Sequence, residues 1–104
     1  MRIEVLHIDG CPNHEPAEHL VRDVLHELGI VAYVTFVRVD DDRAAERLRF
    51  CGSPTVRIDG IDVDPIVDDT SFAARCRLYR TKVGLSGVPD RATLRSAILA
   101  ASAP

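Results

Sequence analysis

Residues 2–8, Arg-Ile-Glu-Val-Leu-His-Ile, constrain the fold more than any other stretch of the chain. A run so nearly continuous in apolar character reads as a buried central strand. From Ala17 to Leu28 the apolar positions are 17, 20, 21, 24, 25 and 28. That spacing paints one stripe along a helix, which Gly29 closes as a C-terminal cap. Residues 30–39, IVAYVTFVRV, are β-branched and aromatic and form a second strand. Asp40, Asp41 and Asp42 bring negative charge and a cap to a short helix reaching about Phe50.

Val56 to Ile58 and Ile61 to Val63 flank Asp59-Gly60, a two-residue turn of the kind hairpins prefer. Pro89-Asp90 opens a last helix with Ala92, Leu94, Ala97, Ile98 and Ala101 along its apolar side. The predicted order is β-α-β-α-β-β-α. It describes an α/β fold, a four-stranded mixed sheet with helices on both faces and an insertion before the last helix. That insertion, residues 65–88, is punctuated by Pro65, Gly84 and Gly87. It is expected to be mostly irregular, with a short extended piece around Leu78 and Tyr79 and with Leu78 buried.

At 104 residues, 1–104 read as a single domain with one core. No apolar run approaches the ~18 residues of a membrane span. The N-terminus carries Glu4 and no small-residue cleavage site, so it reads as a strand rather than a signal peptide, and a cytoplasmic protein is expected. A net charge of −3 gives no general attraction for nucleic acid. Neither nucleic acid nor membrane is expected as a partner. All of the 13 basic residues except Lys82 are arginine, a bias that fits a GC-rich genome better than a function. The 3 cysteines are odd in number and widely spaced, so they make no disulfide framework and are expected to rest as thiols.

The candidate chemistry lies at Gly10-Cys11-Pro12-Asn13-His14, between the first strand and the first helix. A cysteine at or beside a helix N-terminus meets unpaired N–H groups and the positive end of the dipole. Both favour the thiolate, the reactive form. His14, three residues on, would add a positive charge or a proton donor. The plainer alternative makes Cys11 a small cap residue. A second element, Gly52-Ser53-Pro54-Thr55, directly precedes the strand that enters the hairpin, a place where proline is tolerated on steric grounds alone.

Taken together, these elements resemble the thioredoxin fold over residues 1–64 and the last helix. The resemblance implies an active-site cysteine after the first βα turn, at Cys11. It also implies a cis-proline opposite, at Pro54, whose preceding residue Ser53 offers its backbone to an extended thiol substrate. More narrowly, IDGCPN followed by SPTVRIDG and CRLYR is similar to a group of small bacterial thioredoxin-like proteins. Some of these carry selenocysteine in the motif, and some are labelled as related to alkylmercury lyase. The chain departs from Cys-x-x-Cys, because His14 stands at the second position. Without that neighbour a mixed disulfide on Cys11 needs an external thiol, or another cysteine of the chain, to release it.

The leading expectation is a monothiol oxidoreductase of thiol or disulfide substrates, protein or low-molecular-weight. Cys11 is its nucleophile, His14 tunes it, and Ser53 and Pro54 position the substrate. Cys51 and Cys76 are candidate accessory thiols, each with a structural alternative. Arg75, Arg77 and Arg80 would anchor an anionic substrate, although solvated arginines beside a strand are the plainer reading. His7 is read as half-buried core, and His19 and His26 as solvent-facing. No cofactor or resident metal is assigned.

A rival reading is a non-catalytic soft-metal or organomercurial binder, since thiolate and imidazole suit copper(I), zinc or mercury(II). Cys11 and His14 supply only two of the four ligands of a closed zinc site, so Cys51 or Cys76 would have to join them. A third reading is an interaction module with no thiol chemistry.

Overall fold

The structure, a computed structural model, describes residues 1–66 and 71–103. Its central strand is β1, Arg2–His7. On one side β1 pairs in parallel with β2, Tyr33–Arg38, placing Val5 opposite Phe36 and His7 opposite Arg38. On the other side it pairs antiparallel with β3, Thr55–Ile58. The short β4, Ile61–Asp62, returns along β3, so the sheet runs β2-β1-β3-β4 and is mixed, as expected. Asp59 and Gly60 both take positive φ, 49° and 86°, the backbone that a tight two-residue hairpin turn requires.

Helices cover both faces. The first, α1, spans His14–Leu28 and starts three residues earlier than the apolar stripe alone indicates. Gly29 ends it in the left-handed conformation, its N–H directed back to the His26 carbonyl. Ala17, Val21, Val24 and Leu25 of α1 pack on Ile3, Val5, Val56 and Ile58. They are joined by Leu94 and Ile98 of α3, Arg91–Ser102. On the opposite face Leu6 and Val39 meet Phe50 and the alanines 44 and 45 of α2, Asp42–Leu48. Asp41 caps α2, accepting the Ala44 N–H at 2.8 Å. Each Leu, Ile, Val or Phe wholly buried in these layers contributes roughly 1.5–3 kcal/mol, which fixes the sheet between its helices.

The insertion meets expectation in part. Positions 67–70 of it lie outside the described residues. Beyond them β5, Tyr79–Thr81, falls at the short extended piece expected around Leu78 and Tyr79, and it pairs in a hairpin with β6, Gly84–Ser86, a strand not expected from the sequence. Tyr79 is buried and Leu78 is 66% exposed, so the expected burial of Leu78 is wrong by one residue. The cause is the period of two in an extended chain. Arg77 and Tyr79 share one side, with the guanidinium 4.3 Å from the ring centroid, and Leu78 alternates outward. Among the described residues no helix is long and apolar enough to cross a membrane.

Candidate functional site

Cys11 sits in the connection from β1 to α1, partly exposed and unpaired. Two residues, Pro12 and Asn13, separate it from the first helical residue, so it stands just outside the helix end. Asn13 occupies the cap position without capping through its side chain. That side chain packs on Gly87 instead, where an added Cβ would fall 2.1 Å from Asn13 Nδ2. The loop is lightly tied. Cys11 N–H donates to the Ile8 carbonyl and His14 N–H to the Cys11 carbonyl, both at 3.4 Å, long for such bonds.

Ser53 and Pro54 lie at this same end of the sheet, and the peptide between them is cis, as the resemblance implies. The Ser53 hydroxyl accepts the Ile8 N–H at 3.1 Å, which ties the Ser53 segment to the residue that anchors the Cys11 loop. Ser53's backbone, expected to be free for a substrate, is not. It donates to the Arg75 carbonyl at 2.7 Å and accepts from Arg77 N–H at 2.9 Å. The chain's own residues 75–77 thus run parallel beside Ser53, with Cys76 opposite it. Ser53 has no exposed surface, and the Pro54 carbonyl accepts the Tyr79 hydroxyl at 2.5 Å. An intramolecular strap thus occupies the Ser53 backbone groups that the resemblance offers to a substrate.

Arg77 locks the strap. Only 4% exposed, it donates to Asp62 Oδ2 at 2.7 Å, to Thr55 Oγ1 at 3.3 Å and to the Asp64 carbonyl. Burial works against its charge, but the Asp62 hydrogen bond and the surrounding negative groups outweigh it and raise its pKa. Burial likewise pushes the Tyr79 phenol well above its usual range, against the opposing charge of Arg77. An Arg77 so enclosed is no anchor for an anionic substrate, which corrects that expectation for Arg77 alone. Arg80 stays exposed on β5, and the exposed Arg75 directs its guanidinium to the Ser71 carbonyl at 3.1 Å. Cys51 is partly exposed, with its thiol 3.8 Å from the Arg49 carbonyl, and it lies close enough to Arg77 to interact electrostatically.

His14 engages neighbours that the sequence reading missed. Its ring stacks on His7, with centroids 3.8 Å apart and planes 10° from parallel, and meets the edge of Phe36 at 5.0 Å. His14 Nε2 is buried and has no hydrogen-bond partner among the described residues. Two patterns carry the signal for this cluster. His7 continues the Ile3, Val5 alternation of β1, and His14 lies three residues before Ala17 on the buried stripe of α1. His19 and His26 are exposed, as expected. Among the described residues no three His, Cys, Asp or Glu side chains are grouped to hold a metal ion.

The stack has a pH consequence. His7 has its pKa lowered, chiefly by burial, with the charges of His14 and Arg38 also lowering it. The Ile8 carbonyl and Asp9 pull the other way. The unfolded chain therefore takes up this proton first, near 6.5. Stability from this group is whole above that pH and declines as pH falls through 6.5 toward the folded value. Urea midpoints between about pH 7.5 and 5.5 are expected to fall more steeply for the wild type than for His7→Gln. Equal slopes would remove His7 as the cause.

The chain matches no protein-family model, no curated protein and no solved structure.

Proposed function

We propose that the chain is a thioredoxin-like thiol oxidoreductase that works through a single nucleophile, Cys11. Supporting the fold part of this reading are the β2-β1-β3-β4 order, the closing β3–β4 hairpin, and α1 and α3 set against α2 across the sheet. The observation that carries the functional part is a partly exposed free thiol on the β1–α1 connection, at the same end of the sheet as Ser53 and cis-Pro54.

In the reaction, the Cys11 thiolate attacks one sulfur of a disulfide RSSR. The Cys11–SR bond forms, the S–S bond breaks, and RS⁻ leaves. With the Ser53 backbone already paired, an extended peptide has no ladder to join there. The reading therefore favours a low-molecular-weight disulfide over a docked protein strand. His14 serves as a positioning residue: by stacking on His7 it fastens the first turn of α1, and with it the loop that carries Cys11.

Thiol loss under oxidised glutathione tests this. Cys11→Ser is expected to slow the fast phase at least about tenfold, a difference of ~1.4 kcal/mol in barrier, while Cys51→Ala leaves it nearly unchanged. A Cys11→Ser chain that reacts at the wild-type rate would put the interaction-module reading in front.

A further inference from the structure

The strap across Ser53 does more than fill a place: it carries a thiol to the end of the sheet where Cys11 stands. Cys76 is bridged to Ser53, the Ser53 hydroxyl holds Ile8 N–H, and the Ile8 carbonyl takes the Cys11 N–H. Only two residues, Ser53 and Ile8, separate Cys76 from Cys11 along this chain of contacts. The same strap fixes which way its side chains go. In an extended segment neighbours alternate, so Cys76 points away from the side on which Arg77 enters the Asp62–Thr55 network. The Cys51 thiol is directed to the Arg49 carbonyl, whereas Cys76 is exposed. Gly87, farther along the insertion, packs on Asn13 of the Cys11 loop.

We propose that Cys76 is the resolving thiol for Cys11, taking the part that His14 leaves open in Cys11-Pro12-Asn13-His14. The inference rests on the reading of Cys11 as the nucleophile. After RSSR has placed SR on Cys11, the Cys76 thiolate attacks Cys11 Sγ. A Cys11–Cys76 bond forms, the Cys11–SR bond breaks, and a second RS⁻ leaves. The two protons given up by the cysteines end on the two released thiolates. Two protein thiols are oxidised and one RSSR is reduced to two RSH, so nothing further is consumed. Closure needs the two Cα atoms within about 7 Å. Any approach this requires would fall to residues 9–12, ahead of the turn that His14 fastens, where the chain turns through Gly10 at φ 73° and Cys11 N–H is held by one long bond of 3.4 Å.

The test treats the reduced full chain with oxidised glutathione, quenches with acid and maps unreduced peptides by mass spectrometry, in the wild type and in Cys76→Ser. The wild type is expected to yield mainly the Cys11–Cys76 peptide. Cys76→Ser is expected to accumulate a glutathione adduct on Cys11 at least about tenfold above wild type, since nothing in the chain then displaces it. Equal Cys11 adducts in both chains would overturn the resolving role and leave Cys11 as nucleophile. A Cys11–Cys51 peptide would overturn it in favour of Cys51. A Cys76→Ser chain with no adduct on Cys11 would defeat the nucleophile reading itself, and the resolving role with it.

Discussion

Replacing Arg77 by alanine is expected to lower the unfolding free energy by about 3–5 kcal/mol, the usual loss when one member of a buried ion pair is removed. The variant strands the Asp62 carboxylate, whose side chain is only 16% exposed, and leaves the Asp64 carbonyl without this donor. It also uncovers the face of Tyr79. Because the pair's own attraction is largely offset by desolvation, the double variant Arg77→Met, Asp62→Leu is expected to recover most of the loss. Urea denaturation of the three chains distinguishes the cases. An Arg77→Ala chain within about 1 kcal/mol of wild type would mean that the pair behaves like an exposed one.

The second large effect belongs to Gly52→Ala. Gly52 has φ 126°, a backbone that residues with a Cβ avoid, and the new methyl would meet Arg77 Cβ at 2.7 Å and the Cys76 carbonyl at 3.0 Å. Strain and overpacking each cost about 1–3 kcal/mol, so a combined loss of about 2–6 kcal/mol is expected. Gly60→Ala is the control. Its φ is 86°, but nothing lies within 4 Å of the added methyl, so only the backbone contribution applies. If the two variants unfold at the same urea concentration, close approach of the strap does not constrain Gly52. If Gly52→Ala is the weaker and also alkylates Cys76 faster, the strap has been pushed from Ser53.

The two variants lie in the part of the molecule that the sequence made hardest to read. Strands and helices with a strong period were legible: the buried run 2–8, the stripe from Ala17 to Leu28 and the Asp59-Gly60 turn each find their element. Local pattern suffices there, because each residue's partner is the layer its own period faces. Residues 75–79 have no such local signal. The partners of Arg77 are Thr55, Asp62 and Asp64, and that of Tyr79 is the Pro54 carbonyl, all 13 to 25 positions away. Three arginines around a cysteine read as solvated charge until a buried carboxylate is supplied by another segment.

The candidate site was legible to the same extent. Cys11, Ser53 and Pro54 were identifiable from turn chemistry and resemblance. What engages Ser53, and what His14 stacks upon, depended on which face each chain segment turns toward its neighbour.

The pairing of β1 also bears on how the chain is made. β1 is synthesised well before its antiparallel neighbour, Thr55–Ile58, which is encoded some fifty residues later. At ribosomal rates of about 5–20 residues per second, β1 spends several seconds with that edge unfilled. For that interval the strand destined for the centre of the sheet has one edge of N–H and C=O groups unpaired. Pairing with β3 closes that edge.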